Sequence, residues 1–169
     1  MFTPLIRFTL LILCTIVAII AALAGKMPIV VVATLCSISL LWGYYNVGTV
    51  YLALHKMRKA QYADSERILA LTRKPEKLSK KRRAYYHYVA AYLAREKDDF
   101  KSAEHDFLIA LDTGLAEEHD RAIALLALAE IEVIKGNKDK ARTYLERMKG
   151  LRVKDSLLPQ VRQMQQYLA

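Results

Sequence analysis

The sequence contains little of what enzyme chemistry and metal binding usually require. Its two cysteines, Cys14 and Cys36, both lie in apolar runs, without a CxxC pair or a Cys/His spacing typical of metal sites. The four histidines show no HExxH-type spacing, and no glycine-rich phosphate loop, nucleophile elbow or paired-carboxylate pattern occurs. We therefore predict no enzymatic activity, no catalytic residues, no metal site and no cofactor.

Charged residues are nearly absent from the first third of the chain. None lies between Phe8 and Gly25 or between Met27 and Leu54. Uncharged apolar runs of about 20 residues are typical of membrane-spanning helices. The pattern predicts a two-helix transmembrane hairpin over residues 1–54, with spans at about 7–25 and 28–47 and the second helix continuing into the cytosol.

Positive charge is concentrated directly after this predicted hairpin. Residues 55–83 contain eleven Lys and Arg against three Asp and Glu, whereas residues 84–169 contain thirteen against fourteen. By the positive-inside rule, this distribution predicts an integral protein of a bacterial inner membrane, with its C-terminal domain in the cytosol.

The basic juxtamembrane segment, 55–83, is expected to lie beside the lipid bilayer and to face anionic lipids or an acidic partner. Nucleic acid is the less favoured partner, because no nucleic-acid-binding motif accompanies the basic run. The residues predicted for this role are Lys56, Arg58, Lys59, Lys80, Lys81, Arg82 and Arg83.

From position 55 onward the sequence has a helical period and repeats itself. The stretch 92–103 aligns with 130–141, and each contains a helix end, a short polar turn and a second helix with an early alanine. These alanines, Ala103 and Ala141, are 38 residues apart, and a further step of 38 residues reaches Ser65 in a weaker copy. The region therefore contains two helical repeats and a degenerate third.

This pattern resembles the tetratricopeptide repeat, in which a small residue in one helix is followed by a turn and by a second helix with Ala, bulky and small positions. The stretch 136–141 resembles the family's turn, and the second-helix positions are matched by Phe100, Ala103, Phe107 and Ala110. The resemblance implies an all-α fold, a short α-solenoid of about two to three repeats. Residues 55–83 would contain the degenerate first repeat, and 84–169 the better repeats and a C-terminal capping helix.

In that family the concave surface lined by the first helices usually binds a peptide or a partner helix. Tyr85, Tyr88 and Tyr92 lie on one helix face, because they are three and four residues apart. The resemblance implies that this face is concave, and the equivalent positions of the next repeat are Ile123, Leu126 and Glu130. We predict that these six residues bind an unidentified protein partner. The alternative is that they only pack against neighbouring helices.

The leading functional hypothesis is a membrane-anchored adaptor or scaffold that presents a cytosolic repeat domain for protein–protein interaction. One alternative is a structural accessory subunit of a membrane protein complex, bound through its transmembrane hairpin. Another is a membrane-tethered nucleic-acid binder that uses the basic segment.

Overall fold

The computed structural model describes the backbone of residues 4–25 and 27–168, and the side chains of residues 13–25, 27–38 and 48–168. Within these ranges the regular elements are all helical and no strand occurs, which confirms the predicted all-α class. The described α-helices are α1 Pro4–Leu23, α2 Met27–Val47, α3 Thr49–Arg58, α4 Tyr62–Ala70, α5 Lys80–Arg95, α6 Phe100–Thr113, α7 Glu118–Ile134, α8 Lys138–Met148 and α9 Leu158–Leu168. Two short 3-10 turns cover Pro75–Lys77 and Asp155–Leu157. The chain divides into two compact units, Met1–Thr49 and Val50–Ala169.

The first unit consists mainly of α1 and α2, which pack against each other, and the predicted transmembrane hairpin is wrong. In the part of the chain that the structure describes, no helix combines the length and the apolar character needed to cross a bilayer. The inner-membrane location and the cytosolic orientation inferred from this hairpin are therefore wrong as well. The accessory-subunit hypothesis loses the interface on which it relied.

The second unit contains three consecutive helix pairs, α3–α4, α5–α6 and α7–α8, whose turns share one backbone geometry. Each turn has a residue with left-handed φ, at Ala60 (56°), Asp98 (59°) and Gly136 (82°). These three positions follow one another at the 38-residue spacing found in the sequence. The degenerate first copy therefore folds as a helix pair with the same turn as the two better copies.

Small residues at the same spacing explain why the helices pack closely. The distance between two packed helices depends on the side chains at their contact, so small residues permit a close approach. Six such positions are fully buried, namely Ala53, Ala91 and Ala129 in the first helices and Ser65, Ala103 and Ala141 in the second. Ser65 is accommodated because its hydroxyl donates to the Ala53 carbonyl at 2.9 Å.

Equivalent ion pairs connect successive helix pairs. Lys97 contacts Glu66 at 2.6 Å between its Nζ and the carboxylate Oε1. One repeat later, Lys135 contacts Glu104 in the same arrangement. Exposed pairs of this kind typically contribute about 0.2–1 kcal/mol each. These two ion pairs therefore contribute little to the stability of the stacked helix pairs.

Helix α9 covers the last helix pair at the place predicted for a capping helix. Leu157 and Leu168 are buried in a core cluster with α7 and α8 residues such as Leu126 and Leu145. The Arg142 guanidinium donates twice to the Leu168 carbonyl, at 2.9 Å from Nε and 2.6 Å from Nη2. This contact satisfies a carbonyl in the last turn of α9 that has no partner within its own helix.

Replacing Ala60 by glycine tests the turn of the first helix pair. An L residue with left-handed φ destabilises the folded state by roughly 1–2 kcal/mol, and glycine removes this strain. Glycine also raises the entropy of the unfolded chain, which lowers stability by roughly 0.4–1 kcal/mol. We expect Ala60→Gly to raise the free energy of unfolding in urea by up to about 1 kcal/mol. The control Ala63→Gly, at an exposed site in the first turn of α4, should lower it. Equal destabilisation by both changes would contradict the turn geometry.

Replacing Ala103 by aspartate tests the packing within the second helix pair. Ala103 is fully buried, so the new carboxylate would lie in the core without a partner. We expect a loss of roughly 3 kcal/mol or more and a clearly lower melting temperature by circular dichroism. The exposed neighbour provides the control, because Ser102→Asp adds the same charge near the start of α6. Equal melting temperatures of Ala103→Asp and Ser102→Asp would show that the repeat alignment is wrong.

Candidate protein-binding cleft

A cleft of about 290 Å³ lies between the C-terminal ends of α5 and α7. Its lining residues are Arg95, Glu96, Asp98, Phe100, Glu130, Ile131 and Ile134. The chain leaves α5 at Arg95, and Asp98 reverses its direction through a left-handed φ of 59°. Asp99 then caps α6 by accepting a hydrogen bond from the Ser102 amide at 3.1 Å. One wall of the cleft is thus a capped turn with a defined backbone.

The polar part of the cleft is dominated by the ion pair between Arg95 and Glu130, whose nearest atoms are 2.6 Å apart. The Arg95 guanidinium also lies 5.9 Å from the centre of the Tyr92 ring, at cation–π distance. Burial raises the pKa of the Glu130 carboxyl, and the nearby Arg95 charge partly opposes this shift. With Glu96 and Asp98, the lining carries three carboxylates and one guanidinium. The cleft is therefore electronegative.

The apolar part of the cleft consists of one buried and two accessible side chains. Ile131 is buried in the core, Phe100 is half-buried, and Ile134 is 60% exposed at the end of α7. An isoleucine this exposed is removed from water only when another molecule covers it. Each Å² of apolar surface buried in this way contributes about 25 cal/mol. The arrangement can accept an apolar side chain beside a cationic group.

The structure separates the six residues predicted to bind a partner into two groups. Tyr85, Tyr88 and Leu126 lie in the core with exposures of 3%, 1% and 3%. The ring of Tyr88 packs edge-on against Phe107, with centroids 6.2 Å apart. Tyr85 packs against Tyr51 of α3, with centroids 5.9 Å apart. Helix α3 thus covers the N-terminal half of the predicted face.

The other three predicted residues remain accessible. Ile123, Tyr92 and Glu130 are half-buried, and the last two border or line the cleft. Burial raises the pKa of Tyr92 to about 12, with the Tyr62 hydroxyl as the second cause. Sequence reasoning did not identify Arg95 or Ile134 as site residues. The available signal was an apolar residue, Ile134, placed directly before the polar turn that ends α7.

The residues predicted to face lipid or an acidic partner also divide into two groups. Lys56 contacts Asp64 at 3.2 Å, and Arg58 contacts both carboxylate oxygens of Asp120 at 2.8 and 2.9 Å. Internal carboxylates therefore engage these two cations. In the described part of the chain, no ion pair involves the remaining members, Lys59, Lys80, Lys81, Arg82 and Arg83.

The Asp120 carboxylate is buried at the start of α7, where Arg58 is its charged partner. The side chain of Tyr85 in α5 lies close enough to this carboxylate to feel its charge. Burial and this carboxylate raise the pKa of Tyr85 to about 12. Three helices, α3, α5 and α7, thus meet at one buried charge.

Comparison with known proteins finds no matching family model, no matching curated protein and no matching solved structure. Within the described residues, no group of three or more His, Cys, Asp or Glu side chains could hold a metal ion. The function is therefore inferred from the geometry and the charges of this unit.

Tyr88 provides a direct test of which aromatic residues belong to the core. Truncating a fully buried aromatic side chain costs roughly 3–5 kcal/mol. We expect Tyr88→Ala to lower the free energy of unfolding in urea by about this amount, whereas Tyr88→Phe retains most of the packing. The exposed Tyr167 supplies the control, and Tyr167→Ala should change stability little. Wild-type stability of Tyr88→Ala would show that the ring lies on the surface.

Proposed function

We propose that the second unit is a protein-binding adaptor module of the tetratricopeptide-like kind, which captures a partner segment in the cleft between α5 and α7. The observation that carries this proposal is the combination of exposed Ile134 with a cleft lining of three carboxylates and one guanidinium. Three helix pairs with identical turn spacing support the module assignment, because stacked pairs form extended binding surfaces. The membrane anchor of the original hypothesis is not part of this proposal.

The charge of the cleft defines the kind of segment that it would accept. Three carboxylates against one guanidinium leave a net charge of −2 on the lining. Phe100 and Ile134 offer apolar contact beside these carboxylates. The complementary ligand is a protein segment with an apolar side chain next to a lysine or arginine.

The open form of the cleft favours a protein ligand over a small molecule. Small-molecule and cofactor sites usually measure about 300–1,000 Å³ and bury most of the ligand. At about 290 Å³, this open cleft accommodates one or two side chains of a longer chain. The rest of a bound segment would lie outside the cleft, along Tyr92 and neighbouring surface.

Short labelled peptides and paired variants of the full chain test this proposal. The probe peptide has alternating leucine and lysine at its centre, and a matched peptide has glutamate in place of each lysine. We expect the full chain to bind the first peptide preferentially in fluorescence anisotropy. Ile134→Ser removes the apolar contact without adding a charge and should weaken this binding at least about tenfold, or roughly 1.4 kcal/mol. The control Leu71→Ser, at a similarly exposed apolar side chain, should leave the affinity unchanged.

A second pair of variants separates the local charge of the cleft from the net charge of the protein. Glu96→Lys in the cleft and Asp112→Lys in α6 change the charge equally at exposed positions near helix ends. Glu96→Lys should weaken binding of the peptide about as much as Ile134→Ser, and Asp112→Lys should not. Equal effects of both lysine substitutions, or equal binding of both peptides, would contradict the proposal.

A further inference from the structure

The strongest positive charge of the second unit lies at residues 73–83, which we call the basic strip. It contains seven Lys and Arg and a single acid, Glu76. The remainder of the unit from residue 84 onward is nearly neutral, with thirteen basic and fourteen acidic residues. The basic strip lies at the N-terminal end of α5, whereas the electronegative cleft lies at its C-terminal end.

The cations of the basic strip lack internal carboxylate partners. Across the described residues, none of the ion pairs involves a Lys or Arg between positions 73 and 83. From residue 84 onward, cations without an ion pair, such as Lys101 and Arg162, are interspersed with paired ones such as Arg95, whereas residues 73–83 contain seven cations without one. Five of the seven cations in the strip are exposed, and Arg82 and Arg83 are half-buried. Most of these charges face solvent.

The strip is nevertheless fixed to the domain. Leu78 packs against the main core cluster, and the 3-10 turn Pro75–Lys77 is closed by a hydrogen bond from the Leu78 amide to the Pro75 carbonyl at 3.1 Å. The strip then enters α5, whose first turn contains no acid. Cations at a helix N-terminus oppose the helix dipole, and no ion pair within the described residues offsets this effect.

We propose that the basic strip binds an acidic protein segment, a run of aspartate and glutamate, at a surface separate from the cleft. An acidic segment would supply the missing carboxylates and would offset the unfavourable cations at the start of α5. Lys56 and Arg58 do not belong to this surface, since Asp64 and Asp120 already engage them.

Two observations favour an acidic protein segment over nucleic acid. Residues 73–83 contain no aromatic side chain, and of the tyrosines that follow, Tyr85 is buried and Tyr86 packs edge-on against His87. The strip thus offers no free ring for stacking with bases. Helix α5 is also buried in the core from Ala84 onward, so it cannot enter a major groove as a recognition helix does.

Charge reversal in the full chain tests the proposal against a matched control. Lys80→Glu with Lys81→Glu removes positive charge from the strip, and Lys101→Glu with Arg162→Glu makes the same net change at exposed sites elsewhere. The probes are a labelled peptide of alternating aspartate and glutamate, a mixed-sequence DNA duplex and phosphatidylserine vesicles, all at one salt concentration. We expect the wild type and the control variant to bind the acidic peptide more tightly than the duplex or the vesicles. The strip variant should bind it at least about tenfold more weakly, or roughly 1.4 kcal/mol.

Folding is checked in the same samples. The strip variant should melt at or above the wild-type temperature, because acids at the start of α5 interact favourably with the helix dipole. Tighter binding of the duplex or the vesicles than of the acidic peptide would overturn the choice of partner. Equal peptide binding by the strip variant and its control would overturn the surface itself.

Discussion

The arrangement of the second unit depends on one buried carboxylate. Asp120 lies at the start of α7 with 1% exposure, and Arg58, 62 residues earlier at the end of α3, contacts both of its oxygens. A buried carboxylate without a partner is strongly destabilising, whereas here Nη2 of Arg58 donates to both of its oxygens. The charge of Asp120 also acts on Tyr85 of α5, so the first helices of all three pairs meet at this carboxylate.

The position of α3 determines which part of the domain is open to a partner. With α3 in place, Tyr85 and Tyr88 become core residues and the N-terminal half of the α5 face is covered. The C-terminal ends of α5 and α7 remain accessible, and there the Arg95–Glu130 pair borders exposed Ile134. The same contact uses the charge of Arg58 internally, whereas the seven cations of residues 73–83 take part in none of the ion pairs among the described residues. Electronegative and electropositive surfaces therefore lie at opposite ends of α5.

Much of the fold could be predicted from local sequence patterns. The 38-residue spacing of small residues predicted the helix pairs and their turns, because a close helix contact requires a small side chain wherever it occurs. Contacts between distant positions were not predictable in this way. No periodicity indicates that Arg58 reaches Asp120, and the sequence left open whether Tyr88 binds a partner or packs against neighbouring helices. Apolar composition over residues 1–54 was equally insufficient, since the predicted transmembrane hairpin is wrong.

A double-mutant cycle between Arg58 and Asp120 tests most directly whether this pair joins the first helix pair to the third. Arg58→Ala, Asp120→Ala and the double variant would be unfolded in urea, and the coupling free energy calculated from the four proteins. If the pair has this role, the coupling should be roughly 1.5–3 kcal/mol, the range for hydrogen bonds to charged groups. A coupling within about 0.5 kcal/mol of zero is typical of independent sites and would contradict the account.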